Sequence, residues 1–258
     1  MKVRQSWYRE IFDEYLGKSL LENKLAEQMA DREVRFLVKK LKLSKADKIL
    51  DVPCGMGRHS IRLAKRGFTV KGLDLSKPYI LKARKNVKRS FAKNVSFEIA
   101  DMKNLKKYRK KFDVVINMFT SIGYFKNDRE NLKAIKNLIA CLKPGGRVCF
   151  QAISGDWVIK NFKPASWCED ERYVRIETRS FDRQKRYITA RWFLIDKTEK
   201  IYREYVLRNR AYRAEEFLKI MKSCGLKNVK VYGNSDGSNF NRLKSHHPIY
   251  MGVKKAIL

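Results

Sequence analysis

Long apolar runs are missing from this 258-residue chain. The longest are strand-length, well short of the roughly 20 residues that a membrane-spanning helix needs. The first residues, Met1-Lys-Val-Arg-Gln-Ser-Trp7, hold no apolar signal core, which predicts a cytoplasmic protein. Cysteine is sparse: five residues, an odd count with no C-x-x-C pair, which argues for free thiols in a reducing compartment. The three histidines, two of them adjacent, offer no metal-ligand spacing, so no metal site is expected. Five prolines and thirteen glycines are too scattered to form a linker, and no internal repeat or low-complexity segment occurs. The length then suits one sizeable domain with an elaboration, not two full domains.

Acidic residues are also scarce, 27 against 59 Lys and Arg, which leaves a net charge of +32. The excess runs along the whole chain and peaks at Lys82–Lys111, where twelve basic side chains face only Glu98 and Asp101. Two readings stay open. One is attraction to a polyanion, such as RNA or an acidic membrane surface; the other is a set of solvated lysine-rich faces with no partner.

Residues 6–41 read as helical, with Leu21, Leu25, Met29, Phe36, Leu37 and Leu41 near helical spacing. From residue 47 short apolar strands alternate with helical stretches, the pattern of βαβ units on a parallel sheet. Strands are expected at Lys48–Val52, Thr69–Asp74, Val95–Ile99, Asp113–Asn117 and Arg147–Ile153. Helices are expected near Arg58–Arg66, Lys77–Ser90 and Arg129–Cys141, the second opened by Ser76 as N-cap with Pro78 in its first turn. Leu142-Lys-Pro-Gly-Gly146 reads as a helix stop and tight turn. Segments Tyr173–Phe181, Tyr187–Ile195 and Lys200–Val206 read as an antiparallel meander, followed by a helix at Ala214–Cys224 and strands near Val229–Tyr232 and Ile249–Val253. The chain therefore divides into a helical cap (1–44), an α/β core (45–154), an antiparallel lid inserted after strand five (155–210) and a closing helix with two strands (211–258).

The first strand ends in Asp51-Val-Pro-Cys-Gly-Met-Gly57. Glycines at a strand-to-helix turn let a ligand approach the backbone, and the next helix begins with unpaired N–H groups. The loop does not follow G-x-G-x-x-G, because Ser60 stands where the third glycine belongs. Asp74 closes the second strand, where a carboxylate can accept from both hydroxyls of a ribose, and Asp101 with Met102 closes the third, suited to an adenine edge. Three acidic residues at successive strand ends converge on one crevice.

With these motifs the chain resembles the class I S-adenosylmethionine-dependent methyltransferases over roughly residues 45–153. The carriers are the Asp51–Gly57 loop, Asp74, Asp101-Met102, the fourth strand and the Leu-Lys-Pro-Gly-Gly turn. Within that class it is similar to small-molecule N-methyltransferases of the amino-sugar and glycine/sarcosine types, through Asp51–His59 and Met118-Phe-Thr-Ser-Ile-Gly-Tyr-Phe125. The resemblance implies a Rossmann-like seven-stranded sheet with helices on both faces, an N-terminal helical cap and an antiparallel lid after strand five. It implies S-adenosyl-L-methionine as cofactor, held by Tyr15, Asp51, Pro53, Cys54, Gly55, Gly57, Arg58, Asp74, Leu75, Asp101, Met102, Asn117 and Met118. Asn117 and Tyr124 are the expected catalytic positions, with Tyr8, Phe119, Thr120, Trp157, Trp167, Arg175 and His246 as candidates on the substrate side. Arg175 and Glu177 are also expected to form a cross-strand ion pair, and the His246-His247 loop to face the crevice.

Two departures from the family pattern stand out. Pro53 replaces the first glycine of the loop, and Tyr124 stands where amino-sugar relatives often carry a histidine proposed as proton acceptor. A free phenol titrates near 10, so Tyr124 cannot take that role equally well at neutral pH. The expected activity is methyl transfer to a nitrogen or oxygen of a small molecule by in-line displacement. RNA methylation over the basic surface and a non-catalytic cofactor-binding protein remain as alternatives. A nicotinamide-dependent dehydrogenase leaves Asp101-Met102 unexplained. Oligomeric state is not legible in the sequence.

Overall fold

The computed structural model describes residues 24–256, together with Tyr8, Ile11, Phe12, Leu16, Gly17 and Ser19. Helix α1 (Lys24–Lys40) leads into strand β1 (Lys48–Asp51), helix α2 (Arg58–Lys65), β2 (Thr69–Asp74), α3 (Lys77–Lys85), β3 (Val95–Ile99), β4 (Phe112–Asn117), α4 (Asp128–Cys141) and β5 (Leu142–Gln151). Then come α5 (Gly155–Asn161), β6 (Ala165–Glu169), β7 (Tyr173–Asp182), β8 (Tyr187–Asp196), β9 (Ile201–Arg210), α6 (Ala214–Ser223), β10 (Leu226–Tyr232) and β11 (Ile249–Lys254).

Seven strands form one sheet in the order β10-β11-β5-β4-β1-β2-β3. β1 to β5 run parallel, and β11 is antiparallel to both β5 and β10. Parallel strands are covered on both faces, so their sequences are near-continuously apolar. Alternation sorts their side chains between two cores. Ile49, Val114 and Ile116 pack with Val34 and Leu37 of α1 and with Leu41 just beyond it. Leu50 and Val115 point the other way, toward Leu138 of α4 and Phe217 of α6. The order reverses at β1 and β4, which opens a crevice at their carboxyl ends.

Caps set the helix starts. Ser76 Oγ accepts from the Tyr79 N–H at 3.3 Å, Asn127 Oδ1 from Glu130 at 3.0 Å, and Ser154 Oγ from Trp157 at 3.2 Å. Helix α2 has no side-chain cap; it starts from Gly57, whose φ of 80° suits a residue without Cβ. A Cβ there would lie 2.7 Å from the Phe97 ring.

The meander is a separate four-stranded antiparallel sheet, β6-β7-β8-β9. Its inner face presents Tyr173, Leu194 and Tyr205 to Tyr8, Ile11, Leu16 and Phe125. Hydrogen bonds fasten it to the core: Asn209 Nδ2 donates to the Thr120 carbonyl (2.9 Å), and the Arg210 N–H to that of Gly123 (2.9 Å). The buried Arg210 guanidinium also pairs with Asp128 (3.0 Å) and Glu216 (2.5 Å).

Several sequence expectations are corrected. Leu25 is 66% exposed, because α1 turns Ala26, Ala30, Val34 and Leu37 inward. The helix expected to reach Ser90 ends at Lys85, and a 3-10 turn covers Arg89–Asn94. Leu142–Gly146 is not a free turn but the irregular start of β5: pairing steps from Phe112↔Leu142 to Val114↔Arg147, with Gly145 at φ 75° absorbing the extra residues. Arg175 and Glu177 do pair, at 3.0 Å, but along β7, since residues two apart share a strand face. The cross-strand neighbours of Glu177 are Ser166 on β6 and Trp192 on β8. Strand β6 and helix α5 were not expected; β6 is largely exposed and lacks alternation, and α5 has only seven residues.

Candidate active site

A cavity of about 630 Å³ opens at the carboxyl ends of β1 to β4. Its floor is the β1–α2 loop, with Pro53, Cys54, Gly55 and Met56 exposed to it. Gly55, at φ 56°, brings the backbone against the ligand space. Of the residues expected to hold cofactor, Pro53, Cys54, Gly55, Arg58, Asp74, Leu75, Asp101, Met102 and Met118 line this one cavity. Tyr8, Phe119 and Tyr124 line it as well.

Asp74 is the electrostatic centre. Its two oxygens accept from the Gly55 and Ser76 backbone N–H groups, each at 2.8 Å, and each oxygen keeps a lone pair for a ligand hydroxyl. Burial pushes the carboxyl up to about 6, against those backbone hydrogen bonds, with Asp51 adding to the rise. Asp101 Oδ1 accepts from the Lys103 N–H at 2.9 Å, which tightens the turn after β3.

The opposite wall follows β4. Phe119 and Thr120 are consecutive non-glycine residues in the left-handed region, at φ 63° and 57°. Such backbone costs roughly 1–2 kcal/mol per residue and persists only where surroundings enforce it. Here Gln151 Oε1 accepts from the Phe119 N–H at 2.7 Å, and Asn209 reaches the Thr120 carbonyl. The Phe119 ring is 40% exposed, and the Arg58 guanidinium sits 4.6 Å from its centroid. The Tyr124 ring stacks on Phe12 at 5.8 Å. Burial, then the Asp74 charge, pushes its phenol above the ordinary range, so Tyr124 is neutral and not a base.

Other expected residues stand elsewhere. Asp51 is buried behind the loop, accepting from Ser60 Oγ at 2.6 Å, and desolvation raises its carboxyl above the usual range. Asn117 is also buried, its Nδ2 donating to the Val52 carbonyl at 2.6 Å, so it ties two strand ends together. Gly57 and Thr120 do not line the cavity. Neither do Trp157, Trp167, Arg175 and His246. Trp167 is 70% exposed on β6, while Arg175 lies 5.4 Å from the Trp192 ring. The His246 ring stacks between Trp157 (3.8 Å) and His247 (3.9 Å). Burial lowers these histidines to about 3 and about 4, which leaves both neutral. Tyr15 lies outside the described residues.

The cavity also takes in residues that no sequence signal marked, among them Ile61 and Tyr79. Their periodicity is that of ordinary core or turn positions. Among the described residues no group of three or more His, Cys, Asp or Glu could hold a metal ion.

Residues 43–222 match the family model described as a methyltransferase domain. The chain belongs to that methyltransferase family. Its cofactor is S-adenosylmethionine, and the cavity offers it an acceptor carboxylate at Asp74 after β2, the Asp101-Met102 turn after β3, and a buried Arg58 Nη2 with no hydrogen-bond partner. The chain is 27% identical over 192 residues to the putative methyltransferase YqeM of Bacillus subtilis (strain 168), covering 73% of this chain and 77% of that protein. It is 34% identical over 103 residues to the dTDP-3-amino-3,4,6-trideoxy-alpha-D-glucopyranose N,N-dimethyltransferase of Streptomyces venezuelae, a match spanning 40% of this chain and 41% of that enzyme. In fold it resembles the CcbJ methyltransferase of Streptomyces caelestis, with TM-score 0.79, 17% identity, and coverage of 93% and 96% of the two chains.

Proposed function

We propose that this methyltransferase acts on a neutral nitrogen of a small molecule. The bound cofactor supplies a methyl group already activated on a sulfonium. In this reading Asp74 accepts from the ribose, Asp101 and Met102 flank the adenine, and Gly55 and Arg58 meet the amino-acid tail. Phe119, Ser121 and Tyr124 shape the acceptor side, hold the acceptor in line and exclude water.

One observation carries the choice of nitrogen: the ionisable groups nearest the acceptor side are already engaged. The Tyr124 phenol is held neutral, and in this reading Asp74 is given over to the ribose and to two backbone N–H groups. A hydroxyl acceptor needs a base to take its proton as the new bond forms. A free amine brings its own lone pair, and its charge after transfer sits among the faces of Phe119, Tyr124 and Phe12. The N,N-dimethyltransferase relative is consistent with this chemistry. A cytoplasmic location belongs to the same proposal, supported by five cysteines with no disulfide.

The test is label transfer from S-adenosylmethionine to matched amino and hydroxy sugars, with products identified by mass spectrometry. N-methyl product is expected, with a rate that rises with pH as the acceptor amine deprotonates. Label recovered only on hydroxyl oxygen would overturn the proposal.

A further inference from the structure

We propose that Glu33, on helix α1, is a positioning residue that holds Arg58 ready for the carboxylate of the cofactor's methionine tail. The inference rests on the reading of the cavity as an S-adenosylmethionine site.

Arg58 is the first residue of α2, directly after the Gly55–Gly57 turn, and its side chain lines the cavity. The guanidinium is held from three directions. Nη1 donates to the Ala26 carbonyl at 3.3 Å, Nη2 lies 3.4 Å from Glu33 Oε2, and the Phe119 ring covers one face at 4.6 Å. The Glu33 contact is an ion pair without hydrogen-bond geometry, so Nη2 stays buried with no acceptor. A buried guanidinium N–H left without an acceptor is unfavourable. A ligand carboxylate satisfies it with a charge-assisted hydrogen bond.

A second observation points to the same ligand group. Helix α2 begins without a side-chain cap and with no acidic residue in its first turn, so its N-terminal N–H groups favour an anion.

Glu33 does not line the cavity, and its Oε2 is engaged behind it. Its Oε2 meets His59 Nε2 at 2.7 Å and Arg58 Nη2 at 3.4 Å. Burial alone would raise the carboxyl, but the His59 hydrogen bond and the charges of His59, Arg58 and Arg32 bring it below its ordinary value. Glu33 therefore stays ionised as a fixed counter-charge for both side chains at the start of α2. It sits 25 residues before Arg58 in sequence, on a helix outside the βαβ pattern, so no local motif marks it.

The experiment compares two ligands by calorimetry on the full-length protein. S-Adenosylmethionine carries the methionine tail, whereas 5′-methylthioadenosine has the adenosine half without the carboxylate. Arg58→Met is expected to weaken S-adenosylmethionine by about tenfold to a hundredfold, the value of a hydrogen bond to a charged group, and to leave methylthioadenosine nearly unchanged. Glu33→Gln, which keeps the shape and removes the charge, should reproduce the selective loss at smaller size, about three- to tenfold. Added to Arg58→Met, it should cost nothing further, because both changes act through one guanidinium. His59→Gln, which leaves Glu33 charged, should retain the preference for the tailed ligand. Equal loss of both ligands in Glu33→Gln, or no loss of either, overturns the positioning role. Wild-type protein that binds neither ligand would instead sink the cofactor assignment beneath it.

Discussion

The seven-stranded sheet and the four-stranded sheet of this protein bury their residues in opposite styles. In the core sheet, β1 and β4 are covered on both faces, and Ile49, Leu50, Val114, Val115 and Ile116 are all inaccessible to solvent. The lid sheet has one covered face; on the other, Trp167, Ile176, Ile195 and Tyr202 stand exposed. The core thus fixes strand ends, and with them Gly55, Asp74 and Asp101, by packing alone. The lid depends on a few polar fasteners, chiefly Asn209 and Arg210, which tie it to Thr120 and Asp128 of the core. Cofactor affinity should therefore respond to the core, and catalytic turnover or lid stability to the lid.

The largest test of that division is Asp74→Ala. In the proposed binding mode it removes two charge-assisted hydrogen bonds to the ribose, so S-adenosylmethionine affinity should fall about a hundredfold by calorimetry. A loss below threefold would mean the ribose is held elsewhere.

Next is Arg210→Met, which strips a buried cation from Asp128 and Glu216. Both partners remain partly solvated, so about 2 kcal/mol is expected rather than the full penalty of a broken buried pair. For a chain of this size that corresponds to roughly 4–8 °C in Tm. Cofactor affinity, corrected for unfolding, should not change.

The third test is pH. Burial pushes the Asp74 carboxyl up to about 6 in the folded protein, and in the proposed binding mode its ionised form is the one that accepts from the ribose. Affinity should be level above pH 7 and fall about tenfold for each unit below 6. The sign for stability is opposite. A carboxyl raised from its ordinary value contributes stability below about 3.9 that is lost as pH rises through about 6. Protonating Asp74 therefore does not itself unfold the ligand-free protein, and a melting curve at pH 5.5 separates lost binding from lost fold.

Asn209→Ala should give a smaller effect, about fivefold on methyl transfer, the value of one hydrogen bond. S-Adenosylmethionine affinity should hold, since the contact acts on Thr120. An equal loss of affinity would show that lid and core are not separable. The smallest change is expected from Trp167→Ser on the open face of the lid, within about 0.5 kcal/mol in stability. A larger loss, or a change in sedimentation, would mean that this face is covered in solution.

Much of the cavity lining was legible because its residues stand at strand ends, and strand ends are announced by apolar runs stopping at Asp51, Asp74 and Ile99. The arrangement behind the loop was not. Asp51 and Asn117 look like ligand residues in sequence, yet each is buried and turned onto a protein partner, Ser60 and Val52. Pattern reading gives the position of a residue along a strand but not which way its polar group turns. The lid shows the same limit: its meander was visible from alternation, whereas β6, with scarcely any buried residue, carried no signal.

By itself the sequence determined the α/β alternation, the glycine turn and the order of the acidic strand ends, because periodicity and turn chemistry are local properties of the chain. Only the tertiary structure decided that Glu33 stands behind Arg58, that Gln151 and Asn209 enforce the backbone at Phe119 and Thr120, and that His246 and Trp157 stack with each other away from the cavity. Those pairings join residues 25 to 89 positions apart, and no short-range pattern encodes contacts made by side chains from separate elements.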